Sequence, residues 1–379
     1  MAKSERREVD PKVREFSRRR FMRNAGITAA AVPLLGGLGD IFTGGSAQAA
    51  SSRGTKNPFP KYPAYRFAFV CHVTADPFFN ACRSGATDAS NLLGCSYTWG
   101  GSENDIIPEM VNAFNVAIDD KVNGIACCIV DPTAFNSVTD KALMAGIPVI
   151  AYNAESPTGK GNNAMAYIGQ DLYKAGVAVG QKISTYVKKG DLVGGMISVP
   201  GSLNEQPRMD GAASVFKAAG IDFVQVGVGA TEGPALATTE AWYHGHPNVK
   251  FMFSSGGSNG IAVATCIQKL GLAAKGVGGA AFDVGVPVLQ QIAAGHLVFT
   301  VDQQAYFQGF LSIVELFYYN ISGGLFSPMN VNTGMKYVTK ETVGEYLLRK
   351  DSWEGSSTSP VVFTPPKSIS LPQGQGTGN

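Results

Sequence analysis

Phe67-Ala68-Phe69-Val70-Cys71-His72-Val73-Thr74, followed at once by Ala75-Asp76-Pro77-Phe78-Phe79-Asn80, decides how this chain is read. The first eight residues are a short apolar run, rich in aromatic and β-branched side chains and preceded by prolines, which reads as a buried strand. Pro77 bars Asp76 from the helical region and suits a first helical turn. A strand therefore ends, Asp76 caps, and a helix begins at Phe78. Such a corner lies at the carboxyl end of a strand, where open α/β sheets bind ligands. It also sets two adjacent rings beside a carboxylate, an arrangement suited to a molecule with one apolar CH face and a rim of hydroxyls. A sugar has that shape.

Outward from this corner, strand and helix patterns alternate. Helix 78–93 is followed by strand 96–99, the segment Gly100-Gly101-Ser102-Glu103-Asn104, helix 106–119, strand 124–130, the Asp131-Pro132 corner, a helix to Ala145 and strand 148–152. A second series repeats the plan: helix 172–188, strand 192–198, helix 207–219, strand 223–227, helix 235–244, strand 251–254, helix 261–270, strand 277–282, helix 287–294 and strand 297–302. Strands separated by helices imply βαβ units and parallel sheets with right-handed crossovers. Two such series predict two similar α/β domains with a cleft between them. A long helix from Tyr306 to about Ile321 and a further strand, Val331–Val338, are expected to return toward the first sheet.

The ends differ in composition. Of 31 Lys/Arg and 29 Asp/Glu, nine and five fall within residues 1–50, which leaves 22 and 24 for the remainder. That slightly acidic balance provides no basic surface for a nucleic-acid backbone. Within residues 1–50, Ser17-Arg18-Arg19-Arg20-Phe21-Met22-Arg23, a glycine-diluted apolar stretch and Ala47-Gln48-Ala49 read as a secretory signal similar to the twin-arginine type, with cleavage near Ala49. Residues 351–379, dominated by Ser, Thr, Pro and Gly, read as a flexible tail. The six cysteines, at 71, 82, 95, 127, 128 and 266, show no CxxC spacing and read as buried free thiols ahead of a disulfide framework or a metal site. Neither a cofactor nor a metal is implied.

Two catalytic patterns compete with a binding role. Gly256-Gly257-Ser258-Asn259-Gly260 fits G-x-S-x-G, and Asp283 and His296 follow in the order of α/β hydrolases. The same glycines also suit a turn that opens a helix. Gly276 to Ala281 satisfies G-x-G-x-x-A but leads into a strand, so its amides are not placed to cradle a pyrophosphate.

With these residues in place, Arg66 to about Val338 resembles the bacterial periplasmic sugar-binding proteins of the ribose-binding type. The resemblance rests on five motifs in family order: 76–79; Gly146-Ile147-Pro148-Val149-Ile150; Tyr167-Ile168-Gly169-Gln170-Asp171; Ala281-Phe282-Asp283; and Thr300-Val301-Asp302-Gln303-Gln304. It implies two Rossmann-like lobes with parallel sheets and a three-strand hinge, the lobes being 66–168 plus 304–331 and 169–303 plus 332–345. It further implies a non-enzymatic, monomeric periplasmic protein that captures a sugar or sugar alcohol for an inner-membrane ABC permease and its ATPase. A receptor for a membrane sensor is the alternative. A sugar-responsive repressor shares the fold, but no helix-turn-helix precedes the first strand.

Carried over by position, the implied ligand contacts are Asp76 (Asn in the family), Phe78, Phe79, Asn153 (usually Asp), Asp283, Gln303, and Arg208 or Gln206. Gly256 stands where an Asn is expected and Ala154 where an Arg is, departures that bear on which sugar is bound. Tyr152, Trp99 and Trp242 are candidates for a second stacking wall, His72 for a cleft-facing group, and Glu103 with Asn104 for the rim.

Overall fold

A computed structural model describes residues 62–157 and 159–348. The signal-like segment 1–50 and the tail 351–379 lie outside the described residues. The first strand, β1 (Arg66–Cys71), is buried beyond its first residue and leads into α1 (Phe78–Leu93) as the corner motif predicts. The Asp76 carboxylate accepts from the Phe78 N–H at 2.8 Å, which supplies a cap for the first turn after Pro77.

Pairing that is parallel throughout the first sheet, and in all but one edge strand of the second, then builds two six-stranded sheets with the same strand order. The first runs β11-β5-β4-β3-β1-β2, with β2 (Ser96–Gly101), β3 (Gly124–Cys127), β4 (Val149–Tyr152), β5 (Tyr167–Gly169) and β11 (Val331–Asn332). Between them lie α2 (Ile107–Asp119) and α3 (Asn136–Met144). The second runs β12-β10-β9-β8-β6-β7, with β6 (Leu192–Ile197), β7 (Asp222–Gly227), β8 (Phe251–Ser254), β9 (Gly278–Ala280), β10 (Phe299–Asp302) and β12 (Lys336–Thr339). Its helices are α4 (Leu172–Ile183), α5 (Gln206–Ala219), α6 (Glu232–Gly245), α7 (Gly257–Lys269), α8 (Val286–Ala294) and α10 (Val343–Leu348). Central strands such as β3, β4 and β8 are buried at every residue, as sheets covered on both faces require. In β8 the two faces separate by alternation: Phe251 and Phe253 pack with Ile197, Phe216 and Phe282, and Met252 packs on the other side with Met196, Val263 and Ile267.

The residue pattern reads 331–338 as one strand, although the lobe bounds implied by the resemblance pass between 331 and 332. Residues 331–338 form not one strand but two, and the two belong to different sheets: β11 pairs with β5, whereas β12 runs antiparallel to β10. Gly334, at φ 77°, turns the chain between them, with its N–H bonded to Asn332 Oδ1 at 2.9 Å. An alternating apolar pattern specifies strand but not which sheet receives it. The chain passes between the sheets here, between β5 and α4, and between β10 and the long helix α9 (Ala305–Ile321).

Each lobe locks a helix pair through glycines. In the first, α9 lies so close on α1 that a Cβ on Gly85 would strike the Tyr306 carbonyl oxygen, and one on Gly309 the Cys82 carbonyl oxygen. In the second, Gly176 of α4 and Gly211 of α5 face the Arg208 and Tyr173 carbonyls in the same way. Backbone against backbone leaves no side chain to yield. Gly309→Ala is therefore expected to lower the urea stability by about 1–3 kcal/mol, the usual cost of overpacking, with the denaturant slope unchanged.

Candidate functional site

The carboxyl ends of both sheets face one cleft, and nearly every strand that reaches it contributes a side chain. From the first lobe come His72 and Val73 after β1, Asp76, Phe78 and Phe79 at α1, Asp105 after β2 and Asn153 after β4. From the second come Ser198 after β6, Asn204, Glu205 and Arg208 at the start of α5, Ala230 after β7, Gly256–Ser258 after β8, Asp283 after β9 and Gln303 after β10. With its solvent-open mouth included, the cleft holds about 530 Å³ of empty space. The lobes touch across it: Leu203 N–H donates to the Val130 carbonyl at 2.9 Å, and the Asn204 amide meets His72 Nε2 at 3.2 Å. This is a closed arrangement.

Backbone geometry marks the same place. Five described non-glycine residues have φ between 52° and 75°, and three of them, Asp105, Asn153 and Asp283, line the cleft. A fourth, Gln304, adjoins Gln303. Asn and Asp tolerate this left-handed region best, and residues held there cluster at binding sites.

Polar groups are linked from lobe to lobe. Gln303 Nε2 donates to Asp283 Oδ1 at 2.6 Å, Gln308 Nε2 to Gln303 Oε1 at 3.2 Å, and Asn153 Nδ2 to Gln308 Oε1 at 3.3 Å. Glu205 accepts from Ser198 N–H (2.7 Å), Ser198 Oγ (2.8 Å) and Ser255 Oγ (2.6 Å). Arg208, the one Lys or Arg in the lining, donates from Nη1 to the Ser255 carbonyl at 2.8 Å and lies 4.5 Å from the centre of the Phe282 ring. Its buried Nε has no partner.

These groups have displaced proton affinities. Burial pushes the Asp283 carboxyl up to about 6, with Arg208 and then Gln303 opposing the rise. Burial, and then repulsion from Glu205 across the cleft, carries Asp105 to about 7. Burial raises Asp76 against the pull of the Phe78 N–H. His72 is driven down to about 4 by burial and then by Arg208, and so is neutral at neutral pH.

Of the residues singled out from the sequence, Asp76, Phe78, Phe79, Asn153, Arg208, Asp283, Gln303, His72 and Gly256 meet in this lining. Four do not. Trp99 stacks on Phe69 at 5.3 Å, and Tyr152 is fully buried behind Phe79, so both belong to the wall's backing. Glu103 is exposed outside the lining. Gln206 is held by Gly201, Asp210 and Gln225, which leaves Arg208 as the cleft-facing residue of that helix start. Trp242 stacks on His246 at 4.6 Å, also outside the lining. The Ser258, Asp283, His296 pattern does not assemble. Ser258 Oγ donates to the Ala230 carbonyl at 3.4 Å, His296 Nδ1 meets Gln291 Oε1 at 2.7 Å, and Asp283 is engaged by Gln303. The glycines instead open α7 at Gly257.

Sequence reading missed Asp105, Ser198, Asn204 and Glu205. Glu205 had a legible signal, since it precedes a helix with Pro207 in its first turn, just as Asp76 precedes Pro77. Asp105 had none, because its placement depends on a left-handed residue after Ser102, whose Oγ accepts from the Asn104 and Ile106 N–H groups.

Residues 67–321 match the family model described as a periplasmic binding protein domain. The xylose/arabinose-binding protein XylF of Sulfolobus acidocaldarius is 38% identical over 312 residues, 79% of this chain and 77% of that protein. A solute-binding protein of an ABC transporter from Burkholderia graminis, solved with D-arabinose, is similar at a TM-score of 0.69 and 26% identity, covering 74% of this chain and 97% of that one. Another from Agrobacterium vitis, solved with D-fucose, has the same fold at a TM-score of 0.70 and 22% identity, over 73% and 96% of the two chains.

Because folding raises the Asp105 pKa above the ordinary 3.8, its contribution to stability is fully present below that value and is lost as pH rises through about 7. Asp105→Asn removes this loss and suits the left-handed backbone. The variant is expected to gain urea stability over the parent as pH rises from about 4 to about 7, with a constant difference above. A difference independent of pH would contradict this electrostatic account.

Proposed function

This chain belongs to the periplasmic binding proteins, and from that premise we propose that it captures a neutral monosaccharide or sugar alcohol between its lobes and delivers it to an ABC-type importer. It is a binding protein, not an enzyme. The observation that carries the sugar reading is the cleft's composition: carboxylates from both lobes, Asp76, Asp105 and Asp283, converge beside the half-buried Phe78 ring, with Arg208 the one Lys or Arg among the lining residues. Carboxylates accept hydrogen bonds from hydroxyls, and Arg208 supplies a donor for a ring or hydroxyl oxygen. An acidic or phosphorylated sugar would meet like charge. Pentoses are the first candidates, since the 38% identical relative is named for xylose and arabinose.

Asp76, Phe78, Phe79 and Asn153 would hold the solute from one side, and Arg208, Asp283 and Gln303 from the other. A ligand that touches both lobes stabilises the closed form by the difference in its affinity for the two states. The permease and its ATPase would then recognise the closed pair, the chain acting as an exported monomer after cleavage near Ala49. The importer is favoured over a sensor partner because the 26% identical structural relative is itself described as belonging to an ABC transporter.

A thermal-shift screen against pentoses, hexoses, inositols and linear polyols tests the reading. A cognate solute should raise the melting temperature in proportion to the logarithm of its concentration and be recovered intact. No shift with any of them would refute the assignment. Asp283→Asn, which tolerates the φ of 75°, should weaken binding of the cognate solute by about tenfold or more in calorimetry, because hydrogen bonds to charged groups contribute about 1.5–3 kcal/mol. Unchanged affinity would remove Asp283 from the site.

A further inference from the structure

Beneath the cleft floor, the continuation of β3 brings Cys128 to the adjacent pair Cys71 and His72 at the end of β1, from which it is remote in sequence. The Cys71 and Cys128 sulfurs and one ring nitrogen of His72 lie within 4.8 Å of one another, all buried. Strand pairing fixes them there: Cys128 N–H donates to the Val70 carbonyl at 2.9 Å, which carries the parallel β1–β3 register one residue past Val70 and Cys127.

One polar atom of this group is unsatisfied. His72 Nδ1 has no hydrogen-bond partner, although the residue is only 7% exposed. The Tyr152 hydroxyl, on a residue 0% exposed, has the Cys128 thiol as its polar neighbour. Buried polar atoms are nearly always paired, so an unpaired ring nitrogen on a histidine grouped with two thiols calls for an explanation, and an ion is one that suits these atoms.

We propose that Cys71, Cys128 and His72 Nδ1 form a site for a thiophilic d10 cation, Zn²⁺ or Cu⁺, with the Tyr152 hydroxyl at its edge. Two thiolates and an imidazole are the donor set such cations select. With metal–sulfur bonds of about 2.3 Å, sulfurs in a tetrahedral site sit about 3.8 Å apart, so a contraction of about 1 Å closes the group on an ion. The outer partner is also present. The Asn204 amide stands 3.2 Å from His72 Nε2, and its Oδ1 is itself without a partner. Turned so that Oδ1 accepts from Nε2–H, the amide leaves the Nδ1 lone pair for the metal and ends the isolation of Oδ1. His72 lines the cleft, which gives the ion a path in. Since Asn204 belongs to the second lobe, a bound ion would orient the ring that meets the opposing lobe.

Metal uptake does not depend on which solute the cleft binds, so it is tested separately. The full chain, purified metal-free under reducing conditions, is titrated with Zn²⁺ alone, with Cu⁺ alone under anaerobic competition, and with Co²⁺ as a spectroscopic probe. One equivalent of Zn²⁺ or Cu⁺ per chain, with a thiolate-to-Co²⁺ charge-transfer band, is expected. Cys71→Ser/Cys128→Ser should abolish the band, and His72→Gln should weaken binding by roughly 100-fold, at or beyond the 10–100-fold typical of an outer-shell loss. Cys266→Ser, at a buried thiol outside the group, should change nothing. Should the double serine variant fail to fold, the parent's stoichiometry and the His72→Gln titration still decide. No stoichiometric uptake by the parent, equal uptake by the folded double variant or by His72→Gln, or Cys71 and Cys128 joined as a disulfide in the unreduced protein would overturn the site.

Discussion

A carboxylate and a guanidinium buried where two lobes meet set the terms for the rest of this molecule. Asp283 and Arg208 are 7% and 3% exposed, and neither could remain charged there without partners. Asp283 is held by Gln303, and the amide chain continues through Gln308 to Asn153 in the other lobe. Arg208 lies against the Phe282 ring, and the charges of Asp283 and then Glu205 offset the cost of its burial. The groups that would meet a solute are thus the groups that tie the lobes together. Gln303 shows this most directly, since it stands in the segment passing from the second sheet to α9.

The helices make each lobe a stiff body on either side of that network. Glycine contacts between α1 and α9, and between α4 and α5, bring backbones together with no side chain between them. Close-packed interiors deform little, so any opening of the lobes would fall to the three crossings. Two of these carry left-handed residues, Gln304 and Gly334, where a change of φ and ψ disrupts no strand pairing.

The aromatic wall is layered. Both Phe78 and Phe79 line the cleft, but Phe79 is 2% exposed and packs among His72, Trp99 and Tyr152. Edge-to-face contact between Phe78 and Phe79, at 4.8 Å, fixes the outer ring by the inner one. Of the aromatic residues singled out in the sequence, Trp99 and Tyr152 serve the wall from behind, and Tyr152 also reaches the Cys128 thiol.

Local chemistry in the sequence determined the alternation of strand and helix, the Asp76-Pro77 corner and the separation into two α/β series, because caps, turns and buried strands are short-range patterns. From the same patterns, joined to the family motifs, it placed Asp76, Phe78, Asn153, Asp283 and Gln303 in one region. Tertiary structure decided what depends on partners far along the chain: that 331–338 forms two strands, the second of them antiparallel to β10, that Arg208 and not Gln206 turns inward, and that Asp105 faces Glu205. It also decided that Cys71, His72 and Cys128 meet, because a neighbour in a parallel sheet is set by the order of strands in space and leaves no periodic mark on the sequence.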